Sequence, residues 1–331
     1  MCFGLITFVT SEFTFVVFGD TRGWNSSWYA GEIINKKFLA YFRQVILNDI
    51  KPDLVFYGGD ISTYCNLDTW LKVFQKELVG PLQDSGIKVY MTKGNHECYK
   101  HSWPGLGATW YGMDRQNIYK RVFNWYPKNG PDSNYNNLAY YFTYGNSFFI
   151  IFDTYYIYER RTGRSDGHYQ ETIGQKQADW FANFGNDYFK QFKHKFAFTH
   201  APAFSVEGDP RQKNMEYMWD LMTQRSFDIF FGSHEHLYSR ALIPPNFGKY
   251  YKFQRELFQI IAGCGSESID TNVKVDKAAW NVHSNMHFVV VKVNGGTLDV
   301  TTYANDTNYK NYWKIDSFAI LNNNDAYTDS N

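Results

Sequence analysis

Five predicted strands in this chain each run out into residue types that bind metal ions, and this recurrence constrains the fold more than any other feature. The segments are Phe18-Gly19-Asp20, Tyr57-Gly58-Gly59-Asp60, Thr92-Lys93-Gly94-Asn95-His96-Glu97, Ala197-Phe198-Thr199-His200 and Phe231-Gly232-Ser233-His234-Glu235-His236. One histidine or one Gly-Asp turn is ordinarily structural. Together they offer two carboxylates, an amide and several imidazoles. In open α/β sheets a ligand site forms where strands deliver their carboxyl ends. The five segments therefore predict one composite site and one domain over 13–303. A boundary anywhere between Asp20 and His236 would pull that site apart.

The local patterns agree with such a sheet. Phe13–Phe18, Asp53–Tyr57 and Ile87–Met91 are short apolar runs expected to be buried strands. Between them, Glu32–Asn48 and Thr69–Leu78 have helical spacing, so the alternation predicts parallel strands joined by crossover helices. Leu138–Thr143 and Ser147–Phe152 predict a hairpin around Tyr144-Gly145-Asn146. Gly174–Phe184 and Asn214–Met222 are expected helices. Lys195–Thr199, Phe227–Phe231, Gln259–Ala262, His287–Val293 and Thr297–Tyr303 are expected strands. From Cys98 to Asn137 the periodicity dissolves into Tyr, Trp, Gly, Pro and Asn. A long irregular segment directly after a ligand motif predicts a lid over the site. Residues 1–12 are expected to be a signal remnant or a first strand. Residues 304–331 are expected to be a C-terminal extension, polar and frayed after Ser317.

Composition narrows the function classes. Lys plus Arg and Asp plus Glu number 33 each, so the basic excess typical of nucleic-acid binders is absent and no nucleic-acid partner is expected. No apolar run reaches the roughly 18–20 residues that span a bilayer. Aromatic residues make up 20% of the chain, a bias that genome composition explains as well as function does. None of Cys2, Cys65, Cys98 and Cys264 forms a C-x-x-C zinc pattern. If the strands before Cys65 and Cys98 both reach the site, the two following loops are neighbours, and either a disulfide or two buried thiols would result. The Cys2–Val9 run, the sequons at Asn25 and Asn305 and that potential bridge point to a secreted or lumenal glycoprotein.

The donor chemistry is specific. His234 and His236, two residues apart, share one face of an extended segment, and Gly232 before them permits a sharp turn. Imidazole, carboxylate and amide oxygen suit zinc, manganese or iron rather than calcium. The absence of thiolate donors favours a catalytic over a structural site.

These motifs, in this order, resemble those of the calcineurin-like metallophosphoesterase superfamily: Gly19-Asp20, Gly59-Asp60, Gly94-Asn95-His96-Glu97, His200 and Gly232-Ser233-His234-Glu235-His236. His236-Leu-Tyr-Ser-Arg240 is similar to a purple acid phosphatase segment. The resemblance implies an α/β fold in which a two-sheet β-sandwich is flanked by helices. It implies one or two metal ions and hydrolysis of a small phosphoester by in-line attack of a metal-bound hydroxide. Asp60 would bridge the ions. Asn95, His200 and His234 would complete one ion's ligands, and Asp20 and His236 would serve the other. His96 would hydrogen-bond the phosphoryl or leaving oxygen.

One departure matters. The family's D-x-H histidine is Arg22 here, and a guanidinium stays protonated and has no lone pair to donate. The tyrosine ligand of the purple branch falls on Thr63. Tyr64, one residue further, would need a bulge to reach the site. Arg22 instead suits a catalytic phosphate clamp, because its planar fork matches phosphate oxygens. The weakened first site also admits an alternative, a non-catalytic relative serving as a surface or binding protein. Substrate identity and oligomeric state are open at this level.

Overall fold

Strands that are apolar on both faces must be covered twice, and this chain does so by packing two sheets together and placing helices outside them. A computed structural model describes residues 12–22, 34–62, 68–101, 109–111, 113–156, 172–206, 212–263, 281–283, 285–321 and 326–329. The first sheet has seven strands. Its parallel block is β1 (Glu12–Phe18), β2 (Leu54–Tyr57) and β3 (Lys88–Met91), in register Phe15 to Leu54 to Lys88. On the other side of β1 the sheet continues antiparallel. It runs through β13 (His287–Asn294), β14 (Thr297–Asn305), β15 (Tyr312–Leu321) and β16 (Ala326–Asp329).

The second sheet is also seven-stranded. Its parallel block is β7 (Ser147–Ile151), β8 (His194–Phe198), β9 (Ile229–Gly232) and β11 (Leu257–Ala262). At one edge β6 (Tyr140–Tyr144) pairs antiparallel with β7. At the other, β10 (Tyr238–Ile243) pairs with β11 and with β12 (Asn281–His283). A small hairpin, β4 (Tyr99–His101) with β5 (Thr109–Tyr111), stands apart from both sheets.

Alternation along each strand divides the core. Phe15 of β1, Phe56 of β2, Phe149 of β7, Phe196 and Phe198 of β8 and Phe231 of β9 are all buried and meet between the sheets. Phe56 stacks on Phe198 at 4.0 Å, and Phe15 meets Phe196 edge-on at 5.0 Å. Such pairs contribute about 0.5–1.5 kcal/mol beyond their buried area. The aromatic bias therefore has a structural use: planar rings fill the inter-sheet layer. Phe18 faces outward onto Phe42, 4.2 Å away, in α1 (Lys36–Gln44). Asn35 caps α1 by accepting the Phe38 N–H at 3.0 Å, the role its short side chain favours. α1 runs on as a π-helical segment, Val45–Ile50. α2 (Asp68–Phe74) and its π-helical extension Gln75–Val79 lead into α3 (Gly80–Asp84). On the second sheet, Phe148, Ile150, Ala197 and Phe230 pack outward against α5 (Gln175–Ala182), α6 (Asn186–Phe189) and α7 (Lys213–Gln224). The expected α/β architecture, a two-sheet sandwich flanked by helices, is the one observed. No helix of the described residues is long and apolar enough to cross a membrane.

Several expectations are corrected. The segment Cys98–Asn137 is not an irregular lid where it is described. It contains the β4–β5 hairpin and α4 (Met113–Val122), and Tyr119, Phe123, Tyr126 and Tyr135 are buried in the main core. The polar run from Asp114 to Asn117 hid that helix's apolar face. Residues 102–108 and 112 lie outside the described residues. The tail expected to fray after Ser317 instead completes β15, paired with β14 through Leu321, and adds β16. Cys98 is a buried free thiol. Cys65, the other cysteine of that pair, lies outside the described residues, as do Tyr64 and the Asn25 sequon. Asn305, of the second sequon, is buried, and its Nδ2 donates to Asp306 O at 3.2 Å.

β13 carries a pH-sensitive element. Burial pushes the His287 imidazole down to about 4, although its Nδ1 is bonded to Asn285 O at 2.7 Å. Its Nε2 is buried and has no hydrogen-bond partner among the described residues. An unfolded histidine titrates near 6.5, so between about pH 6.5 and about pH 4 the unfolded chain takes up a proton that the folded chain refuses. The contribution to stability is full above pH ~6.5, falls with pH, and is lower by about 3 kcal/mol below pH ~4. His287→Phe is expected to flatten the pH dependence of urea-unfolding midpoints in this window. An unchanged slope would show that His287 is not the group responsible.

Candidate metal centre

All five ligand-bearing turns gather at the carboxyl ends of the two parallel blocks. Asp20, Asp60 and His234 each take a left-handed backbone conformation, with φ of 54°, 58° and 73°. The chain thus reverses directly after the strand and points these side chains back toward the strand ends. Such conformations cost a non-glycine residue roughly 1–2 kcal/mol and persist only where neighbours over-determine them. Here they do. Asp20 N donates to Gly59 O at 2.9 Å and Gly58 N to Phe18 O at 2.8 Å, tying the first two turns together. The Tyr57 hydroxyl accepts from Thr21 N at 3.2 Å and donates to Asp60 O at 3.1 Å. His234 N donates to Asp20 Oδ2 at 3.1 Å, crossing from the second sheet to the first.

The third turn is organised by Glu97. Its carboxylate accepts from the N–H groups of Asp60 (2.9 Å), Ile61 (2.8 Å) and Gly94 (2.7 Å). Burial and the nearby Asp60 push its pKa up to about 7, against the pull of those N–H donors. Lys93, fully buried, forms an ion pair with Asp153 Oδ2 at 3.1 Å. It also donates to Cys98 Sγ (3.1 Å), Gln116 Oε1 (3.1 Å) and Tyr155 O (2.9 Å). This network fixes the Lys93–Cys98 turn against the Asp153–Tyr155 turn of the second sheet.

Within this frame four donor atoms converge. His200 Nε2 lies 3.0 Å from Asn95 Oδ1, 3.3 Å from His234 Nδ1 and 3.4 Å from Asp60 Oδ1. Asp60, His200 and His234 form a group able to hold an ion. Ligands at about 2.0–2.2 Å from a shared ion stand about 3.0–3.5 Å apart at tetrahedral or octahedral angles, so the spacing suits one. His200 Nδ1 donates to Gly58 O at 2.6 Å, which leaves Nε2 with its lone pair aimed at the cluster. Tyr155 covers this group, its ring 5.6 Å from that of His200.

Beside it sits a second cluster. Asp20 Oδ1 lies 3.8 Å from His236 Nε2, and His96 Nε2 lies 3.7 Å from Asp60 Oδ2. The Arg22 guanidinium spans the two histidines: Nη1 contacts the His96 ring and Nη2 is 3.1 Å from His236 Nε2. His96 and His234 are the partly open histidines, while Asp20, Asp60, His200 and His236 are buried, so access is from the side of those two imidazoles. Burial and then Asp60 push the Asp20 carboxyl well above the usual range. Burial acts on Asp60 in the same direction, but the His96 and His200 imidazoles and Arg22 outweigh it and hold that carboxyl well below the usual range.

Every site residue expected from the sequence is therefore brought together: Asp20, Arg22, Asp60, Asn95, His96, His200, His234 and His236. Sequence reasoning gave no role to three supporting groups. Glu97 belonged to a quoted motif. Asp153 follows a strand as Asp20 and Asp60 do. Glu235, buried between the two histidines, accepts from Val206 N at 3.0 Å.

Two facing sheets with carboxylates and imidazoles at a shared edge define a metal-binding α/β sandwich. The chain belongs to the calcineurin-like phosphoesterase family, whose model matches residues 13–238. The fold is similar to that of a purple acid phosphatase from yellow lupin (Lupinus luteus) seeds, with a TM-score of 0.66 and 17% identity. That match covers 94% of this chain, which spans only 54% of the lupin protein. It is also similar to PhoD (TM-score 0.62, 12% identity, 97% of this chain and 72% of that one). A dimetal phosphatase from Danio rerio gives a TM-score of 0.53 at 15% identity, covering 92% of this chain and 98% of that one. These identities speak to the fold alone. No curated protein shows significant sequence similarity to this chain. Membership supports metal-dependent phosphoester hydrolysis in general and implies divalent metal ions, although the family includes non-catalytic members.

Proposed function

We propose that this protein is a metal-dependent phosphatase or phosphodiesterase acting on a small phosphoester, with Asp60, Asn95, His200 and His234 holding a metal ion. The observation that carries this reading is that Asn95 Oδ1, His234 Nδ1 and Asp60 Oδ1 lie 3.0, 3.3 and 3.4 Å from His200 Nε2, with the His200 tautomer set by Gly58 O. One carboxylate, one amide and two imidazoles suit zinc, manganese or iron. An ion held there would supply an activated water and neutralise charge developing on the phosphoryl oxygens. The chain's own residues do the rest. His96, at the open side, is placed to hydrogen-bond a phosphoryl or leaving oxygen. Arg22 presents a planar donor fork suited to phosphate. Asp20 holds the His234 turn through its backbone N–H.

The test is metal analysis of purified protein paired with hydrolysis of an aryl phosphate. Wild type is expected to carry a transition metal and to turn over. His200→Ala is expected to lose the ion and, with it, at least about 10²-fold in rate, since the ion's electrostatic contribution is several kcal/mol. Protein that retains its ion yet hydrolyses no phosphoester would favour a binding protein over an enzyme.

A further inference from the structure

The family motif positions imply a second ion beside the first, held by Asp20, Asp60, His236 and the residue at position 22. The residues present do not fit it. Residue 22 is arginine, which offers no lone pair. The obstacle goes further than a missing ligand. A neutral imidazole has one acceptor nitrogen with one lone pair, and His236 Nε2 already faces Arg22 Nη2 at 3.1 Å. That nitrogen is also the atom nearest Asp20, at 3.8 Å. An ion bound there at about 2.0–2.1 Å would compete with the guanidinium for the same electron pair and meet a fixed like charge.

Arg22 is not easily displaced. Its backbone bridges to Ile34, and the preceding Thr21 is held through its Oγ1 by the Tyr57 hydroxyl at 2.7 Å and through its N–H by the same oxygen. Its Nη1 is engaged by His96 at the same time.

We infer that this chain binds a single metal ion and that the Arg22 guanidinium stands in for the second, as a built-in cation bridging His96 and His236. The inference rests on the reading that Asp60, Asn95, His200 and His234 hold the one ion. A guanidinium keeps its charge across the working pH range, so beside one divalent ion about a third of the site's positive charge is covalent and does not depend on metal supply.

The experiment loads metal-stripped protein with Mn²⁺, counts bound ions by elemental analysis and titration calorimetry, and records the electron paramagnetic resonance spectrum. Wild type is expected to bind close to one ion per chain and to show an isolated-Mn²⁺ spectrum. Arg22→His should release His236 Nε2 and supply a nitrogen beside Asp20 Oδ1, a buried oxygen with no hydrogen-bond partner among the described residues. Its stoichiometry is expected to double, and a spin-coupled pair signal should appear. Wild type with two ions and a coupled spectrum would overturn the inference while leaving the metal-dependent reading intact. Wild type with no ion at any concentration would overturn both. The wild-type measurement decides the matter even if Arg22→His does not fold.

Discussion

Lys93→Met is expected to destabilise the protein by about 3–5 kcal/mol, the cost of leaving one member of a buried ion pair without its partner. Lys93 and Asp153 side chains are both fully shielded from solvent, and Nζ also satisfies Cys98 Sγ, Gln116 Oε1 and Tyr155 O. Methionine retains most of the volume and none of the donors. Urea unfolding would measure the loss. Adding Asp153→Leu to Lys93→Met should recover part of it, because the stranded charge is then removed. The Tyr155 N–H that Asp153 accepts at 2.9 Å is left unpaired, which limits the recovery. A single variant within about 1 kcal/mol of wild type, the range of ordinary surface pairs, would show that the pair does not hold the turn.

The second large effect is expected at Gly58. A Cβ there would fall 2.7 Å from Ser233 Cβ and closer still to its Oγ, while Gly19 Cα is 3.4 Å away. Ser233, between Gly232 and His234, thus fills a slot between the first two turns and binds them to the second sheet. Gly58→Ala must push those turns apart. Displacements near 1 Å cost on the order of 10²-fold in positioned chemistry, so metal affinity and any hydrolytic rate should fall by about that factor. Ser233→Gly opens the slot and should rescue Gly58→Ala. A double variant no better than the single one would mean that the loss has another origin.

What was legible in the sequence follows from where periodicity and chemistry coincide. Phe13–Phe18 and Lys195–Thr199 were readable because burial on both faces leaves unbroken apolar runs, each punctuated by a ligand turn. The donor set was readable because the metal-binding side chains sit one or two residues beyond those runs. Tyr119 and Phe123 were not, since a helix that buries tyrosine and phenylalanine amid Arg115, Gln116 and Asn117 has no clean apolar stripe. β15 was missed because only Asp316 and Phe318 of its residues are buried and Trp313 and Lys314 face solvent. Asp153 carried the same strand-end signal as Asp60 and was overlooked for lack of a motif around it. The contact of Arg22 with both His96 and His236 depends on residues up to 214 positions apart, which no local pattern encodes.

The division of donors between the sheets has a consequence of its own. Asp20, Asp60 and Asn95 hang from the first sheet, and His200, His234 and His236 from the second. Between the two lie close-packed phenylalanines, some stacked and some edge-on, and a change of volume in that layer makes one sheet slip against the other by fractions of an ångström. The cluster of donor atoms magnifies such a slip, because an ion tolerates far less error in its ligand distances than a ring does in its stacking. Ion affinity should therefore act as a vernier on the docking of the two sheets. Substitutions deep in the phenylalanine layer, remote from any ligand, would register there before they register in the melting temperature.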